Sequence, residues 1–258
     1  MDGPVREGVG LLGSPSFEIP RTTERDSRLA LSPDQRRRGL AGKNRHNLAS
    51  ITLLLLSRWI LTSLLTVVAL TSLDLYSELG AAVFALNYAV GMPLTFVYFI
   101  LLDRMVRGLA ALQPQGCSIY HRSFWRHERF WKVCAYTYVQ AVNGTPFKGL
   151  VWQLLGVRVG RRLFDDGCII TERVFVTIGH RCTLNAGTVI QCHSQENNAF
   201  KSDRVELGSD VTIGVNGFVH YGVRLGGGAV LEADSFLMKG EQVPPRTRWA
   251  GNPAMEVD

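Results

Sequence analysis

Cysteine is scarce and unpatterned. Five cysteines among 258 residues are an odd number with no CxxC spacing, which fits a reducing compartment better than a disulfide framework. Cys168, Cys182 and Cys192 read as small core fillers. Zinc-type patterns are also missing. His180, His193 and His220 do not fall at ligand spacing, so no metal is expected. No apolar run lies close enough to Met1 to serve as a signal peptide. The basic cluster in residues 21–47 holds Arg25, Arg28, Arg36, Arg37, Arg38, Lys43 and Arg45 but no interleaved aromatic residue. Nucleic acid is therefore not an expected partner, and the cluster reads as a flexible, disordered basic linker. The net charge of +6 then points to an anionic membrane surface.

Long apolar runs are present instead. Residues 49–73 are apolar apart from Arg58 and a few hydroxyls. As a helix this run spans about 37 Å, enough for a bilayer. A second run, residues 79–102, has Asn87 as its strongly polar group and Pro93 as a kink that a membrane helix tolerates. A short acidic turn, residues 74–78, is expected between them. Arg58 must snorkel or face a partner. Basic residues flank both outer ends, Arg36 to Arg38 on one side and Arg104 and Arg107 on the other. The hairpin is thus expected to keep both ends cytoplasmic, with membrane lipid as a partner. Residues 121–132 mix Phe124, Trp125, Phe130 and Trp131 with four cations. They suit either the headgroup layer or an ordinary packed helix.

The stretch 207–254 has a period of six. Leu207, Ile213, Val219, Leu225, Leu231, Leu237, Val243 and Trp249 fill the first slot of eight successive sixes. Gly208, Gly214 and Gly226 take the second, and Val211, Gly217, Val223, Ala229 and Ser235 the fifth. Such a period suits neither an amphipathic helix nor an alternating strand. It suits a parallel β-helix in which each six forms one side of a coil. An earlier register runs Ile178, Leu184, Ile190, and the wall breaks between them at residues 192–203. Residues 144–156 read as a short amphipathic helix capping the first coil.

Residues 5–19 align without gaps on residues 243–257. Val5 matches Val243, Leu11 matches Trp249, Gly13 matches Gly251, Pro15 matches Pro253 and Glu18 matches Glu256. Residues 1–20 are thus expected to resemble the tail of a preceding β-helix, in a tandem array repeating near 238 residues.

The sixes, the interrupting loop and the ending VPPRTRWAGNPA resemble the hexapeptide-repeat acyltransferases, whose fold is a left-handed parallel β-helix. In that family a His stands at the mouth of a loop that breaks the coils, followed by a V-x-I-G segment. Here His193, the loop and VELGSDVTIG have the same layout, so the resemblance implies that His193 is the catalytic general base. Two positions depart from the pattern: Ser194 replaces a Pro, and Thr212 replaces the Trp of many relatives. Asn185 is expected to bond backbone in a stacked ladder or to hold an acceptor. Gln195 and Asp203, within the break, are further substrate-binding candidates. Lys239 matches a position near the phosphates of coenzyme A, and a solvated surface lysine is the alternative.

The hairpin followed by GVRVGRRLFDDGCIITE, TLNAGTVIQCHSQ, HYGV and ADSFLMKG resembles the C-terminal tandem units of poly-ε-lysine-synthetase-type nonribosomal peptide synthetases. That implies amide formation from a pantetheine thioester, on a carrier protein or coenzyme A, with an amine acceptor and no covalently bound cofactor. It also implies a homotrimer, or a pseudo-trimer of tandem units. A catalytically degenerate scaffold copy that only trimerises is the alternative. The expected organisation is linker 1–47, transmembrane hairpin 48–107, interfacial and capping helices 108–156, and β-helix acyltransferase domain 157–258.

Overall fold

The structure, a computed structural model, describes residues 9–12, 17–22, 31–110, 112–134, 137–196 and 198–258. It forms two compact units. One comprises Pro33–Leu112 and Tyr120–Tyr138; the other comprises Met1–Ser32, Gln113–Ile119 and Val139–Asp258.

The first unit is helical: α1 (Pro33–Leu79), α2 (Ala82–Ala110) and α3 (Arg122–Val133). Both α1 and α2 contain segments long and apolar enough to cross a membrane. Two expectations are corrected here. The basic segment is not a disordered linker throughout, because residues 33–47 are the opening turns of α1. Pro33 presets the first helical φ, Asp34 complements the positive helix end, and Gln, Arg, Leu and Ala are good helix formers. Clustered charge outweighed those propensities in the sequence reading. Arg25 and Arg28 lie outside the described residues. The acidic turn at 74–78 is likewise helical, and the reversal comes at Gly80, whose φ of 53° lies in the left-handed region that favours glycine. Asn87 Nδ2 donates to Ser72 Oγ across the hairpin (3.0 Å). The Arg58 guanidinium lies 5.3 Å over the Phe99 ring, so this cation faces a partner. Within α3, Phe124, Trp125 and Phe130 are buried, as in a packed amphipathic helix.

The second unit is a three-sided parallel β-helix. One side stacks Arg158–Val159 (β4), Val176–Ile178 (β7), Val205–Leu207 (β12), Arg224–Leu225 (β15) and Gln242–Val243 (β18). The next stacks Phe164–Asp165 (β5), Thr183–Leu184 (β8), Thr212–Ile213 (β13), Val230–Leu231 (β16) and Arg248–Ala250 (β19). The third stacks Ile169–Ile170 (β6), Val189–Gln191 (β9), Phe218–His220 (β14) and Phe236–Leu237 (β17). The apolar first slot points inward: Ile213, Val219, Leu231 and Leu237 have no exposed surface, and Trp249 in the last coil is half-buried. The glycine slot has a steric cause. A Cβ on Gly208 would stand 2.6 Å from the Gly227 nitrogen of the next coil, so adjacent corners stack only without a side chain.

The first coil replaces one apolar slot by Asp165. This carboxylate is fully buried and accepts from Trp152 Nε1 (2.6 Å) and from the Gly167 and Cys168 amides (2.9 and 2.8 Å). Trp152 belongs to α4 (Phe147–Leu154), which buries Val151 and Trp152. The short helix thus packs on the first coil. At the other end β19 turns back through Met255–Val257 (β20), with Trp249 opposite Glu256 and Arg248 opposite Val257. Val9–Leu12 (β1) and Phe17–Thr22 (β2) pair the same way, Leu11 opposite Glu18 and Gly10 opposite Ile19. The two hairpins share a register at the offset the sequence alignment gives. Val5, Gly13 and Pro15 lie outside the described residues.

Candidate active site

From β12 onward, successive coils place paired residues 18 apart, as for Glu206 and Arg224. Between β7 and β12 the spacing is 29. The eleven extra residues leave the coil as an antiparallel hairpin, His193–Glu196 (β10) and Ala199–Ser202 (β11). A third strand, Gln115–Ser118 (β3), joins its outer edge with Gln115 opposite Ser202. The expected break is therefore an ordered three-stranded sheet standing off the coil.

His193 is the first residue of that hairpin. Its neighbour Cys192 is fully buried, and burial pushes its thiol well above the usual range. Adjacent residues on extended backbone face opposite ways, so the thiol sits in the core while the imidazole reaches the surface. His193 Nδ1 lies 2.8 Å from Glu172 Oε1. The Glu172 side chain is fully buried, whereas that of His193 is 17% exposed. Thr171 Oγ1 donates to the other carboxylate oxygen (2.5 Å), and the Cys192 amide donates to Thr171 Oγ1 (3.1 Å). With the carboxylate oxygen as acceptor, the hydrogen belongs on Nδ1, which leaves Nε2 as the ring nitrogen with a free lone pair. Phe200, fully buried, sets its ring 5.9 Å from the imidazole. Gln191 Nε2 donates to the His193 carbonyl (3.0 Å). Glu172 and Phe200 thus flank the ring, while Gln191 holds its backbone.

Sequence reasoning did not single out Glu172. Its signal was an acid two residues past the inward Ile170. Burying a carboxylate is costly unless it is hydrogen-bonded and paired, so the fully buried Glu172 beside a partly exposed His193 is a candidate functional pair.

The other expected site residues are placed as follows. Asn185 Nδ2 donates to the Ile213 carbonyl of the next coil (2.8 Å), which is the ladder geometry. Gln195 is exposed on β10, two residues from His193 and so on the same face of the strand. Asp203 accepts from the Arg204 amide (2.7 Å), and its own amide donates to the Cys192 carbonyl (3.1 Å), closing the hairpin base. Lys239 is ion-paired with Glu196 at the end of β10 and lies 5.9 Å from the centre of the Tyr221 ring. That ties the hairpin tip to the coil. Among the described residues no group of three His, Cys, Asp or Glu is arranged to hold a metal ion.

His220 lies in the next coil, buried against Tyr221, Phe218 and Phe236. Burial lowers its pKa from 6.5 to about 4. Its Nδ1 accepts the Tyr221 amide (3.0 Å), which requires the neutral ring. The unfolded chain therefore binds this proton near pH 6.5 and the folded one near 4. Stability is full above 6.5 and falls as pH drops toward 4, by at most about 3 kcal/mol. We expect thermal midpoints, followed by circular dichroism from pH 7 to 4, to fall less steeply in His220→Phe than in the wild type. Parallel slopes would assign the acid sensitivity to other groups.

No family model matches the chain. Over 147 residues, 55% of the chain, it is 29% identical to δ-poly-L-ornithine synthetase of Acinetobacter baumannii (strain AB307-0294), spanning 11% of that protein's length. Over 122 residues it is 27% identical to YvoF of Bacillus subtilis (strain 168), provisionally named an acetyltransferase, covering 45% of this chain and 70% of that one. Among solved structures it is similar to a hexapeptide-repeat acetyltransferase of Vibrio cholerae O1 biovar eltor complexed with acetyl coenzyme A. That likeness has 23% identity, a TM-score of 0.38, and coverage of 40% of this chain and 60% of the other.

Proposed function

We propose that the chain is an acyltransferase in which His193 is the general base, Glu172 holds and charges it, and the acyl donor is a pantetheine thioester. The His193–Glu172 contact carries this reading. Transfer to an amine needs a base that takes its proton as nitrogen attacks the thioester carbonyl. Nε2 accepts that proton, the C–N bond forms, and a tetrahedral intermediate collapses with loss of the C–S bond. The imidazolium, stabilised by Glu172, returns the proton to the departing thiolate. Products are an amide and a free thiol.

Sequence similarity to δ-poly-L-ornithine synthetase favours an aminoacyl donor and an amine acceptor. The matched relatives leave the donor as either carrier-bound or coenzyme A thioester. Lys239 is a candidate for the donor's phosphate, which would compete with Glu196 for it. Asn185, Gln195 and Asp203 remain candidates for the acceptor side. The resemblance also implies a left-handed coil and a trimeric or pseudo-trimeric assembly. Helices α1 and α2 form a membrane hairpin with the coil on the cytoplasmic side. The matching hairpins β1–β2 and β19–β20 support a tandem-unit arrangement. A buried carboxylate aimed at His193 argues against a copy kept only as a scaffold, since a scaffold gains nothing from its burial cost.

The test is product identification. Purified protein in detergent is given ornithyl- or lysyl-pantetheine thioester with the free amino acid, and products are weighed by mass spectrometry. We expect the dipeptide amide with one thiol released per bond. Thiol release without amide would make the chain a thioester hydrolase and overturn the proposal.

A further inference from the structure

The helical unit contains a cavity of about 1160 Å³ that the proposed chemistry does not use. Three helices converge on it, each with one stripe. From α1 come Gly42, His46, Ala49, Leu53, Leu56 and Ile60, at alternating steps of four and three that keep one helix face. From α2 come Tyr98, Leu101, Leu102 and Met105. From α3 come Arg122, Trp125, Arg126 and Arg129.

The lining is divided by chemistry. Arg38, Arg45, Arg122, Arg126 and Arg129 gather where α3 crosses the start of α1, and no carboxylate lines the cavity. Arg129 is fixed in place: its Nε donates to Ser50 Oγ and its Nη2 to His46 Nδ1, both at 3.0 Å. His46 Nε2 in turn donates to the Trp125 carbonyl (2.9 Å). Beyond Ala49 the wall on α1 becomes apolar, except for Ser57, whose hydroxyl is spent on the Leu54 carbonyl (2.7 Å). Ala49 to Ile60 measures about 16 Å along the axis, close to the roughly 15 Å of one leaflet of a 30 Å hydrocarbon core. Leu56, Ile60 and Leu101 keep exposed surface along this stretch.

We infer that this cavity binds one anionic glycerophospholipid, its phosphate among the arginines of α1 and α3 and an acyl chain along the Leu53–Ile60 face. The inference rests on the membrane placement proposed above, not on the acyl-transfer chemistry. Guanidinium groups pair phosphate oxygens in bidentate fashion. A basic pocket between membrane helices at the cytoplasmic level is the setting in which such headgroups are held. A neutral lipid would leave the cation cluster uncompensated, and a free anion would leave the apolar wall empty.

The test uses the full chain in detergent, with retained lipid counted by native mass spectrometry after addition of phosphatidylglycerol or phosphatidylcholine. Flotation with phosphatidylglycerol vesicles is run in parallel. We expect one phosphatidylglycerol retained in preference to phosphatidylcholine. Arg122→Gln with Arg126→Gln should weaken it by about thirtyfold, at roughly fivefold per arginine. Arg36→Gln with Arg37→Gln, which removes the same charge from positions outside the cavity, should change it less than twofold. Ile60→Trp should weaken phosphatidylglycerol while leaving glycerol phosphate unaffected. Equal loss in both arginine pairs, no preference between the two lipids, or displacement by equimolar inorganic phosphate would each overturn the lipid site. Failure to float would refute the membrane placement itself, whereas floating without preference would refute this inference alone.

Discussion

Replacing His193 by alanine lowers the rate of amide formation by roughly a hundredfold or more while the fold is kept. A general base contributes about 10² to 10⁴ to such reactions. Here the base also returns the proton to the thiolate, so one substitution removes both proton transfers. The fold is expected to survive because the His193 side chain is partly exposed, and the neighbouring Cys192 and Phe200, both fully buried, hold the hairpin root. Truncation does leave Glu172 buried without its imidazole partner, at a cost of roughly 1–3 kcal/mol. Melting curves for the variant should therefore shift modestly without losing cooperativity. The rate is read as thiol release in the presence of acceptor, at matched far-ultraviolet circular dichroism. A His193→Ala protein that retains more than a tenth of the wild-type rate would move the chemistry to another residue.

Glu172→Gln is expected to cost less in stability and nearly as much in rate. Glutamine keeps the volume and can still accept from Nδ1, but it brings no charge to stabilise the imidazolium formed in the transition state. We expect kcat to fall by roughly 10²-fold with KM changed by less than threefold. Glu172 acts through His193 and is a positioning residue, so a readout that a purely structural role would not move is needed. Nitrogen chemical shifts of the histidine ring provide it. The wild type should show hydrogen on Nδ1, and the variant a mixture of tautomers. Glu172→Asp should recover part of kcat if the charge matters, and none if only packing does. A fall in kcat that tracked loss of folded protein, with an unchanged tautomer, would reduce Glu172 to a core residue.

Much of the coil was legible from the chain because its energetics are local and repeated. An apolar residue every six positions fills the interior, and a corner glycine stacks where a Cβ would collide with the next coil. Both constraints recur at Gly179, Gly208 and Gly226. The break at residues 192–203 was visible as a lost phase of one residue. The strand that completes it was not, because β3 pairs with residues more than 80 positions downstream, through backbone, which leaves no periodic trace. Glu172 stayed hidden for a related reason. A single acid has no spacing to betray it, and its meaning appears only when successive coils bring residue 172 beside residue 193. The opening of α1 was misread because a run of arginines resembles a solvated tail, whereas the structure shows Arg38 and Arg45 on one face of a helix whose Gly42 admits the Trp125 ring at 3.0 Å from an added Cβ. The sequence offered two readings of Lys239, a phosphate contact or a solvated lysine, and its pairing with Glu196 could not be inferred from residues 43 positions apart.

The most direct test of the His193–Glu172 centre is thiol release from an aminoacyl-pantetheine thioester in detergent, by the wild type and by His193→Ala, each with and without amine acceptor. The account predicts acceptor-dependent release by the wild type that falls at least a hundredfold in the variant, with identical circular dichroism. Acceptor-dependent release at equal rates in both proteins would contradict it.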